Sequence, residues 1–230
     1  MDVDKNLFMY DLLAVTIVHD EAQYVAEWVD YHLLAGVDHI LIYDNDRGDN
    51  LREVLAPYVA KNLVTVIPYP KTGRQLEAYN DAIRYFKYFC RRMIFIDTDE
   101  FIFSQGKSIA DVIEEIFNAT NAAGLVANLR NFGSSNFEKA EYDKGVLDRF
   151  TRRAEDIWAP IENNIPSGNA AVKTIADPRR VKYFCDNPHV PEYFENCIAV
   201  NESGKKVATP YSLPVTAEKI VINCYVTKSR

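Results

Sequence analysis

Three carboxylates directly follow a short apolar run in the middle of the chain. Residues 93–96 read Met-Ile-Phe-Ile, and Asp97, Thr98, Asp99 and Glu100 come next. The run is too short for a helix but long enough for a strand buried on both faces. If the chain stays extended through the junction, Asp97 and Asp99 point to one side and Thr98 to the other. The spacing therefore predicts two oxygen ligands at one edge of a sheet.

Such a pair of carboxylates suits Mg²⁺ or Mn²⁺, which prefer oxygen ligands and keep coordination positions open for substrate phosphates. The alternative for an isolated Asp-x-Asp is an acidic turn that only solvates the end of a strand. Position favours the metal site, because open α/β sheets bind ligands at the carboxyl ends of their strands. The hypothesis therefore requires that the chain form such a sheet.

The first half of the chain alternates apolar strands with amphipathic helices. We predict strands over residues 12–18, 39–43, 63–67, 93–96 and 125–129, with helices near residues 25–33, 51–59 and 75–88 and a fourth that begins at Ser108. This alternation is typical of an α/β fold with a mostly parallel central sheet and helices on both faces.

Several residues predict the details of these helices. Gly36 closes the first helix in a left-handed conformation, and Pro57 kinks or splits the second because it lacks a backbone donor. Asp111 follows Ser108 by three residues, which is the spacing of a short capping box. The aromatic side chains of the third helix, including Phe89 just beyond it, are predicted to pack on the sheet.

The composition fits one soluble domain. The chain has 230 residues, 48% of them apolar, and no Pro/Gly/Ser-rich linker divides it. Its formal charge of −7 argues against non-specific nucleic-acid binding, which depends on clustered cations. The four widely spaced cysteines favour free thiols over a disulfide framework. Because neither a signal peptide nor a transmembrane run is evident, we expect a cytoplasmic protein.

A set of short motifs resembles the GT-A-type glycosyltransferases, specifically their family 2-like and family 92-like group. The motifs occur in the expected order along nearly the whole chain: Val18-His19-Asp20-Glu21, Glu27-Trp28-Val29-Asp30-Tyr31-His32, Gly36-Val37-Asp38-His39-Ile40, Tyr43-Asp44-Asn45, Gln75 with Tyr79, Ile96-Asp97-Thr98-Asp99-Glu100-Phe101, Phe132-Gly133-Ser134-Ser135, Lys173-Thr174-Ile175, Pro188-His189-Val190-Pro191 and Asn223-Cys224-Tyr225-Val226-Thr227-Lys228-Ser229. Each motif alone is weak, and the ordered set is fairly specific.

The resemblance implies a single GT-A domain over residues 1–230, with a nucleotide-sugar-binding half to about residue 125 and an acceptor-binding half after it. Such enzymes move a sugar from a nucleotide-diphosphate donor, most often a UDP-sugar, with Mn²⁺ or Mg²⁺. The expected acceptor is a hydroxyl of a glycan or glycolipid, such as a cell-surface polysaccharide or lipopolysaccharide, with peripheral membrane contact through that acceptor.

The resemblance also implies roles for single residues. Asp97 and Asp99 match the Asp-x-Asp motif that holds the metal and the donor diphosphate, and Asp44 and Glu21 match acidic positions near the nucleoside. Lys173, from its motif, is a candidate contact to the diphosphate. Gln75 is a further candidate, because it lies one helical turn from Tyr79 and both could face the donor.

One departure from the family pattern concerns the closing motif, in which Cys224 stands where relatives have histidine. Either His189, between two prolines, completes the metal site, or the chain is impaired. The other three histidines, His19, His32 and His39, fit no common metal-site spacing and are interpreted as packing or surface residues. Relatives commonly continue beyond the position of Arg230, so a fragment is an open alternative.

The reaction also requires a base that deprotonates the acceptor hydroxyl. An inverting hexosyltransferase needs an Asp or Glu across the sugar from the leaving group. The candidates are Glu138, Glu155, Asp156 and Glu162, and Asp156 is favoured because it lies in an Arg-rich stretch that opens a loop. A solvated helix face explains Glu155 and Asp156 equally well.

Two other functions compete with glycosyl transfer. A nucleotide-sugar-binding module that has lost catalysis is favoured by Cys224. A sugar nucleotidyltransferase is disfavoured, because that chemistry usually brings a Gly-rich, basic loop after the first strand and this chain has Asp20 and Glu21 there.

Overall fold

A computed structural model describes residues 7–45, 48, 50–70, 74–135, 144–156 and 168–226 of the chain. Its helices are α1 (Ala22–Leu34), α2 (Leu51–Ala60), α3 (Gln75–Phe86), α4 (Ile109–Thr120) and the single turn α5 (Val146–Arg149). Its strands are β1 (Tyr10–Val18), β2 (His39–Asp44), β3 (Val64–Pro68), β4 (Cys90–Phe95), β5 (Glu100–Ser104), β6 (Gly124–Asn131), β7 (Val172–Ala176), β8 (Val181–Tyr183), β9 (Glu192–Tyr193), β10 (Ala199–Val200), β11 (Lys206–Val207) and β12 (Ile220–Cys224).

The main sheet has a parallel half and a mixed half. In the described part of the chain its strands follow the order β11-β10-β6-β7-β4-β1-β2-β3, with β12 pairing to both β5 and β6. Strands β3, β2, β1 and β4 are parallel, whereas β7 runs antiparallel between β4 and β6. The predicted mostly parallel α/β sheet is confirmed.

Helices cover both faces of this sheet, as the sequence predicts. In β1, Leu12 and Ala14 belong to the core under α1, α2 and α4, while Leu13 and Val15 belong to the core under α3. Strand side chains alternate between the two faces, so one apolar strand serves both cores. The strands that lead to the acidic segment are thereby fixed from two sides.

The helix details agree with the sequence in part. The Ser108 hydroxyl accepts a hydrogen bond from the Asp111 backbone N–H at 3.1 Å, as the capping box predicts. Gly36 has φ of 102°. Of the two effects predicted for Pro57, a kink or a split, the split is wrong, because α2 continues through this residue. The expected packing of Phe89 is also wrong, since this residue is 48% exposed.

The second half of the chain forms more β-strands than its sequence pattern predicts. Strand β7 lies in the middle of the sheet, and β12 closes against β6. All four cysteines are free, which confirms that prediction. In the ranges that the structure describes, no helix combines the length and the apolar character needed to cross a membrane.

Candidate functional site

A cleft of about 470 Å³ lies at the carboxyl edge of the parallel half of the sheet. Its walls come from the ends of β1, β2 and β4 and from the start of α3. The lining residues are Ile17, His19, Glu21, Asn45, Arg74, Gln75, Asp97, Thr98 and Asp99. This is the edge at which open α/β sheets bind ligands. The structure therefore brings four of the predicted site residues, Glu21, Gln75, Asp97 and Asp99, to one cleft.

The acidic segment forms a turn and does not continue the strand. The Glu100 N–H donates to the Asp97 carbonyl at 3.1 Å, and β5 begins at Glu100. The expected alternation of an extended chain over Asp97 and Asp99 is therefore wrong. Because the chain reverses here, a third carboxylate, that of Glu100, folds back and accepts a hydrogen bond from the Asp97 N–H at 2.9 Å.

The Asp97 carboxylate is held by three side chains. Asp97 Oδ1 accepts hydrogen bonds from Gln75 Nε2 at 2.5 Å and from the Tyr79 hydroxyl at 3.2 Å. Asp97 Oδ2 accepts a hydrogen bond from Lys173 Nζ at 2.6 Å. Gln75 and Tyr79 are one helical turn apart in α3, so both reach the same oxygen. Burial opposes ionisation of Asp97, but the charge and hydrogen bond of Lys173 outweigh it and lower the carboxyl pKa.

Lys173 is a cation buried beneath the acidic turn. Its side chain is 0% exposed, and its Nζ lies 2.6 Å from Asp97 Oδ2 and 3.3 Å from Glu100 Oε2. Burial disfavours the ammonium, yet the charges of Glu100 and Asp97 raise the pKa of Lys173 well above its usual value. Lys173 therefore stays protonated and provides the internal counter-charge of the site.

The ionised form of Glu100 is less stabilised than that of Asp97. Burial is the largest effect on its pKa; Lys173 opposes that rise, and the charges of Asp97 and Asp99 add to it, so the pKa reaches about 8. One ammonium thus serves two neighbouring carboxylates, while Asp99 adds a third negative charge. A divalent cation at this edge would relieve the excess of negative charge.

Two further contacts fix the backbone of the acidic turn. Trp28 Nε1 donates to the carbonyls of Asp97 at 3.0 Å and Glu100 at 2.8 Å. The Tyr225 N–H, just after β12, donates to the Asp99 carbonyl at 2.7 Å. Trp28 is fully buried, so the turn is attached to the core of α1. These anchors hold the turn from both the amino-terminal and the carboxyl-terminal parts of the chain.

One group of side chains in the described ranges could hold a metal ion. The ligand atoms of Asp99, Glu100 and Cys224 all lie within 4.8 Å of one another. The two carboxylates fit Mn²⁺ or Mg²⁺, which prefer oxygen ligands. Sulfur is a soft ligand that suits these hard ions poorly, and burial, together with the nearby carboxylates, also raises the pKa of the Cys224 thiol. The donor set therefore fits a hard cation through its oxygens.

Asp44, predicted to face the nucleoside, is buried at the end of β2. Its Oδ2 accepts from Arg52 Nε on α2 at 2.8 Å. The next residue, Asn45, lines the cleft. Asp44 is therefore adjacent to the cleft, and its predicted role toward the nucleoside stays a prediction.

His189 and Asp156 lie outside the group of possible metal ligands. His189 Nδ1 is 2.8 Å from the Val172 carbonyl, and burial, followed by the charge of Lys173, lowers its pKa. Asp156 is exposed and pairs with Arg153 at 3.0 Å. Their roles as metal ligand and base stay predictions. The candidates Glu138 and Glu162 lie outside the described residues.

The remaining histidines agree with their interpretation as packing or surface residues. His32 is fully buried with Nδ1 2.7 Å from the Trp28 carbonyl, and burial lowers its pKa to about 4. His39 Nε2 lies 2.8 Å from the Thr65 hydroxyl. His19 is exposed at the rim of the cleft.

Sequence reasoning underestimated Glu100 and Trp28. Glu100 was recognised only as a third acid, because its contact with Lys173 joins residues that are far apart in the chain. The place of Trp28 in the motif around α1 was the available signal, but its hydrogen bonds to the acidic turn span about 70 residues, with separations of 69 and 72. Neither contact is visible in local patterns.

An acidic cleft at the carboxyl edge of a mostly parallel α/β sheet defines a ligand-binding α/β protein. The sequence model of glycosyltransferase family 92 matches residues 14–208. The chain therefore belongs to glycosyltransferase family 92, which confirms the resemblance that its motifs indicated.

Individual relatives agree with this assignment. A glycosyltransferase family 92 protein of Ricinus communis is 30% identical over 161 residues, which are 66% of this chain and 28% of that protein. A family 92 protein of Oryza sativa subsp. japonica is 27% identical over 146 residues, or 63% of this chain and 25% of that protein. The chain thus spans about a quarter of the length of these relatives.

Among solved structures, the chain is similar to that of residues 1–349 of TarS from S. aureus. It has a TM-score of 0.46 and 14% identity, and the match covers 76% of this chain and 50% of that one.

Proposed function

We propose that this chain transfers a sugar from a nucleotide-diphosphate donor, a UDP-sugar, to a hydroxyl of a glycan or glycolipid acceptor, with a divalent cation. Family 92 membership supports glycosyl transfer. The observation that carries the finer proposal is the acidic turn, which gathers Asp97, Asp99 and Glu100 in and beside the cleft around one buried lysine.

The oxygens of Asp99 and Glu100 would hold the cation, since they lie together beside the cleft. When bound, Mn²⁺ or Mg²⁺ supplies Lewis-acid stabilisation of the negative charge on the leaving diphosphate. Asp97 is engaged by Gln75, Tyr79 and Lys173 and is therefore held rigidly at the cleft wall. A fixed carboxylate suits recognition of donor hydroxyls, because little conformational freedom is lost on binding.

Lys173 supports the donor site from below. Its ammonium is fully buried against Asp97 and Glu100, and it is not among the residues that line the cleft. We therefore assign it the role of ordering the acids, in place of the direct diphosphate contact that its motif indicated.

The acceptor is proposed to approach from the second half of the chain. Asp156 remains the proposed base, supported by its exposed carboxylate and by the pairing of Arg153 with Phe132, just beyond the end of β6. Proton transfer from the acceptor hydroxyl to an Asp carboxylate fits an inverting reaction.

A screen of UDP-sugars for Mn²⁺-dependent hydrolysis tests the proposal. We expect at least one donor to be cleaved by the intact chain, and Asp99→Ala to abolish cleavage because it removes a metal ligand. Asp186→Ala is the matched control, since Asp186 is an exposed carboxylate outside the metal-ligand group. Equal activity of the wild type and Asp99→Ala would contradict the proposal.

The second candidate function is a nucleotide-sugar-binding module without catalysis. The observation in its favour is Cys224, a protonated thiol at the position where the family pattern has histidine. Such a module would bind UDP with Mn²⁺ and hydrolyse no donor, in the wild type or in Asp99→Ala. Turnover that depends on Asp99 would exclude this function.

A further inference from the structure

A second pocket lies at the opposite end of β4 and β7. It has a volume of about 180 Å³. Its lining consists of Phe8, Arg91, Arg92, Phe117, Asn118, Asn121, Ala122, Asp177, Arg179 and Arg180. Arg92 is five residues before Asp97 along the extended β4 segment, so the two sites are about 17 Å apart. The two pockets share no lining residue.

Four arginines converge on this pocket, and few acids accompany them. The Asp177 carboxylate pairs with Arg179 at 2.7 Å. Glu114 of α4 lies 3.0 Å from Arg91 and 3.5 Å from Arg92. Among the described residues, four guanidinium groups thus face two carboxylates, in a chain whose formal charge is −7. The local excess of positive charge is therefore opposite in sign to the net charge of the protein.

Arg92 shows that this excess is built into the fold. Its side chain is 11% exposed, and its guanidinium stacks over the Phe117 ring at 4.0 Å. Its Nε is buried without a hydrogen-bond partner among the described residues. Burial lowers the pKa of Arg92; the charges of Glu114 and Asp177 oppose this shift, and the like charges of Arg91 and Arg179 add to it. A bound anion would offset this repulsion.

The arginines also make structural contacts, which do not use all of their guanidinium N–H donors. Arg180 donates to the carbonyls of Asn121 at 3.0 Å and Ala122 at 2.8 Å, just beyond α4. Arg179 stacks over the Phe8 ring at 4.4 Å. These contacts fix the guanidinium groups in place. Each guanidinium has five N–H donors, so the contacts described use only part of their capacity.

We infer that this pocket binds the phosphate group of a small anionic ligand, at a site separate from the donor cleft. Arginine presents its donors in a planar fork that matches phosphate oxygens. The volume of about 180 Å³ is below the roughly 300 Å³ at which pockets begin to enclose drug-sized ligands, so it suits one phosphate and not a nucleotide. The proposal does not depend on the reaction at the cleft.

Titration calorimetry with inorganic phosphate tests the inference. The buffer contains EDTA, because the acidic cleft without a metal repels anions. We expect saturable binding by the wild type and at least about tenfold weaker binding by Arg91→Gln, which removes a charge-assisted donor. Arg91 is chosen because Glu114 keeps a partner in Arg92 after its removal. Arg179→Gln is the second variant, and thermal unfolding verifies that each variant is folded.

Lys107→Gln is the control for net charge. Lys107 also pairs with an acid of α4, Glu115, but it lies before the amino end of that helix, whereas the pocket lies at its carboxyl end. We expect the Lys107→Gln variant to bind phosphate with the affinity of the wild type. A parallel arm measures cosedimentation with phosphatidic acid vesicles against phosphatidylcholine vesicles, which separates a free phosphate from a lipid headgroup.

The phosphate and vesicle measurements distinguish a specific arginine site from non-specific binding or no binding. Binding of phosphate, or of phosphatidic acid vesicles, that is weakened by Arg91→Gln or Arg179→Gln and kept by Lys107→Gln supports the site and identifies its source of phosphate. Binding that is equal in all variants overturns the inference, as does the absence of binding in both arms.

Discussion

The two ends of β4 and β7 carry opposite excesses of charge. At the carboxyl end of β4, Asp97 and Glu100 share one buried cation, Lys173, and Asp99 adds a further negative charge. At the other end, four arginines share two carboxylates. Because β7 runs antiparallel to β4, the same two strands supply charged groups to both ends.

The comparison shows that incomplete compensation, and not charge alone, distinguishes a candidate site. At exposed positions such as Glu115, which both Lys107 and Lys219 contact, water screens the charges and no ligand is needed. Both strand ends keep charges of one sign close together at partly buried positions, which costs free energy unless a counter-ion binds. Substitutions at the acidic end distinguish a ligand site there from a merely structural ion-pair network.

The largest effect is expected for Lys173→Met. The substitution leaves Asp97 and Glu100 without their buried counter-charge, and breaking a buried pair in this way costs about 3–5 kcal/mol. Urea unfolding at pH 7 measures the free energy of unfolding. Lys182→Met, at an exposed lysine, is the control and should change it by less than about 0.5 kcal/mol. Equal effects of the two substitutions would refute the role of Lys173.

A smaller effect is expected from pH. The folded-state pKa of Glu100, about 8, is above the ordinary value of 4.5 for a glutamate, so the folded protein binds the extra proton between these values. The free energy of unfolding should therefore fall as pH rises through this window and level off above pH 8. Between pH 6.5 and 8 the fall should be about 1–2 kcal/mol in metal-free protein.

Glu100→Gln checks this assignment by urea unfolding across the same pH range. The variant should lack the fall in unfolding free energy, because its amide does not titrate. The window above pH 6.5 avoids His32, whose lowered pKa makes the protein less stable only as pH falls from about 6.5 toward 4. A pH dependence that persists in Glu100→Gln would contradict the assignment.

The smallest effect is expected for Cys224→His. A neutral imidazole is a better ligand than a protonated thiol, so Mn²⁺-dependent UDP binding should tighten by at most about tenfold, or 1.4 kcal/mol. Cys185→His is the control at an exposed cysteine. Unchanged UDP affinity in Cys224→His would show that residue 224 does not contribute to the metal site.

The parallel half of the sheet was predictable because its strands are continuous apolar runs. Predicted strands over residues 12–18 and 39–43 correspond to Tyr10–Val18 and His39–Asp44. Strand β7 was not predicted as a strand, because its place between β4 and β6 depends on pairing with residues far away in sequence. Local periodicity does not report such pairing.

The candidate site was predictable in its residue types but not in its contacts. The acidic triplet and the Lys173 motif were both recognised, yet the salt bridge between Lys173 and Asp97 joins residues 76 positions apart. The turn at Asp97 also replaced the extended chain, because the backbone carbonyls there accept hydrogen bonds from Trp28. The basic pocket was not predicted, since Arg91 and Arg92 approach Arg179 and Arg180 through the sheet.

The most direct test of the central claim is titration calorimetry of UDP with the intact chain, in Mn²⁺ and in EDTA. The account predicts saturable binding in Mn²⁺ and at least about tenfold weaker binding in EDTA. It also predicts that Asp99→Asn binds UDP in Mn²⁺ no better than the wild type does in EDTA, while Asp186→Asn binds normally. UDP affinity that is independent of Mn²⁺, or absent in both buffers, would contradict the account.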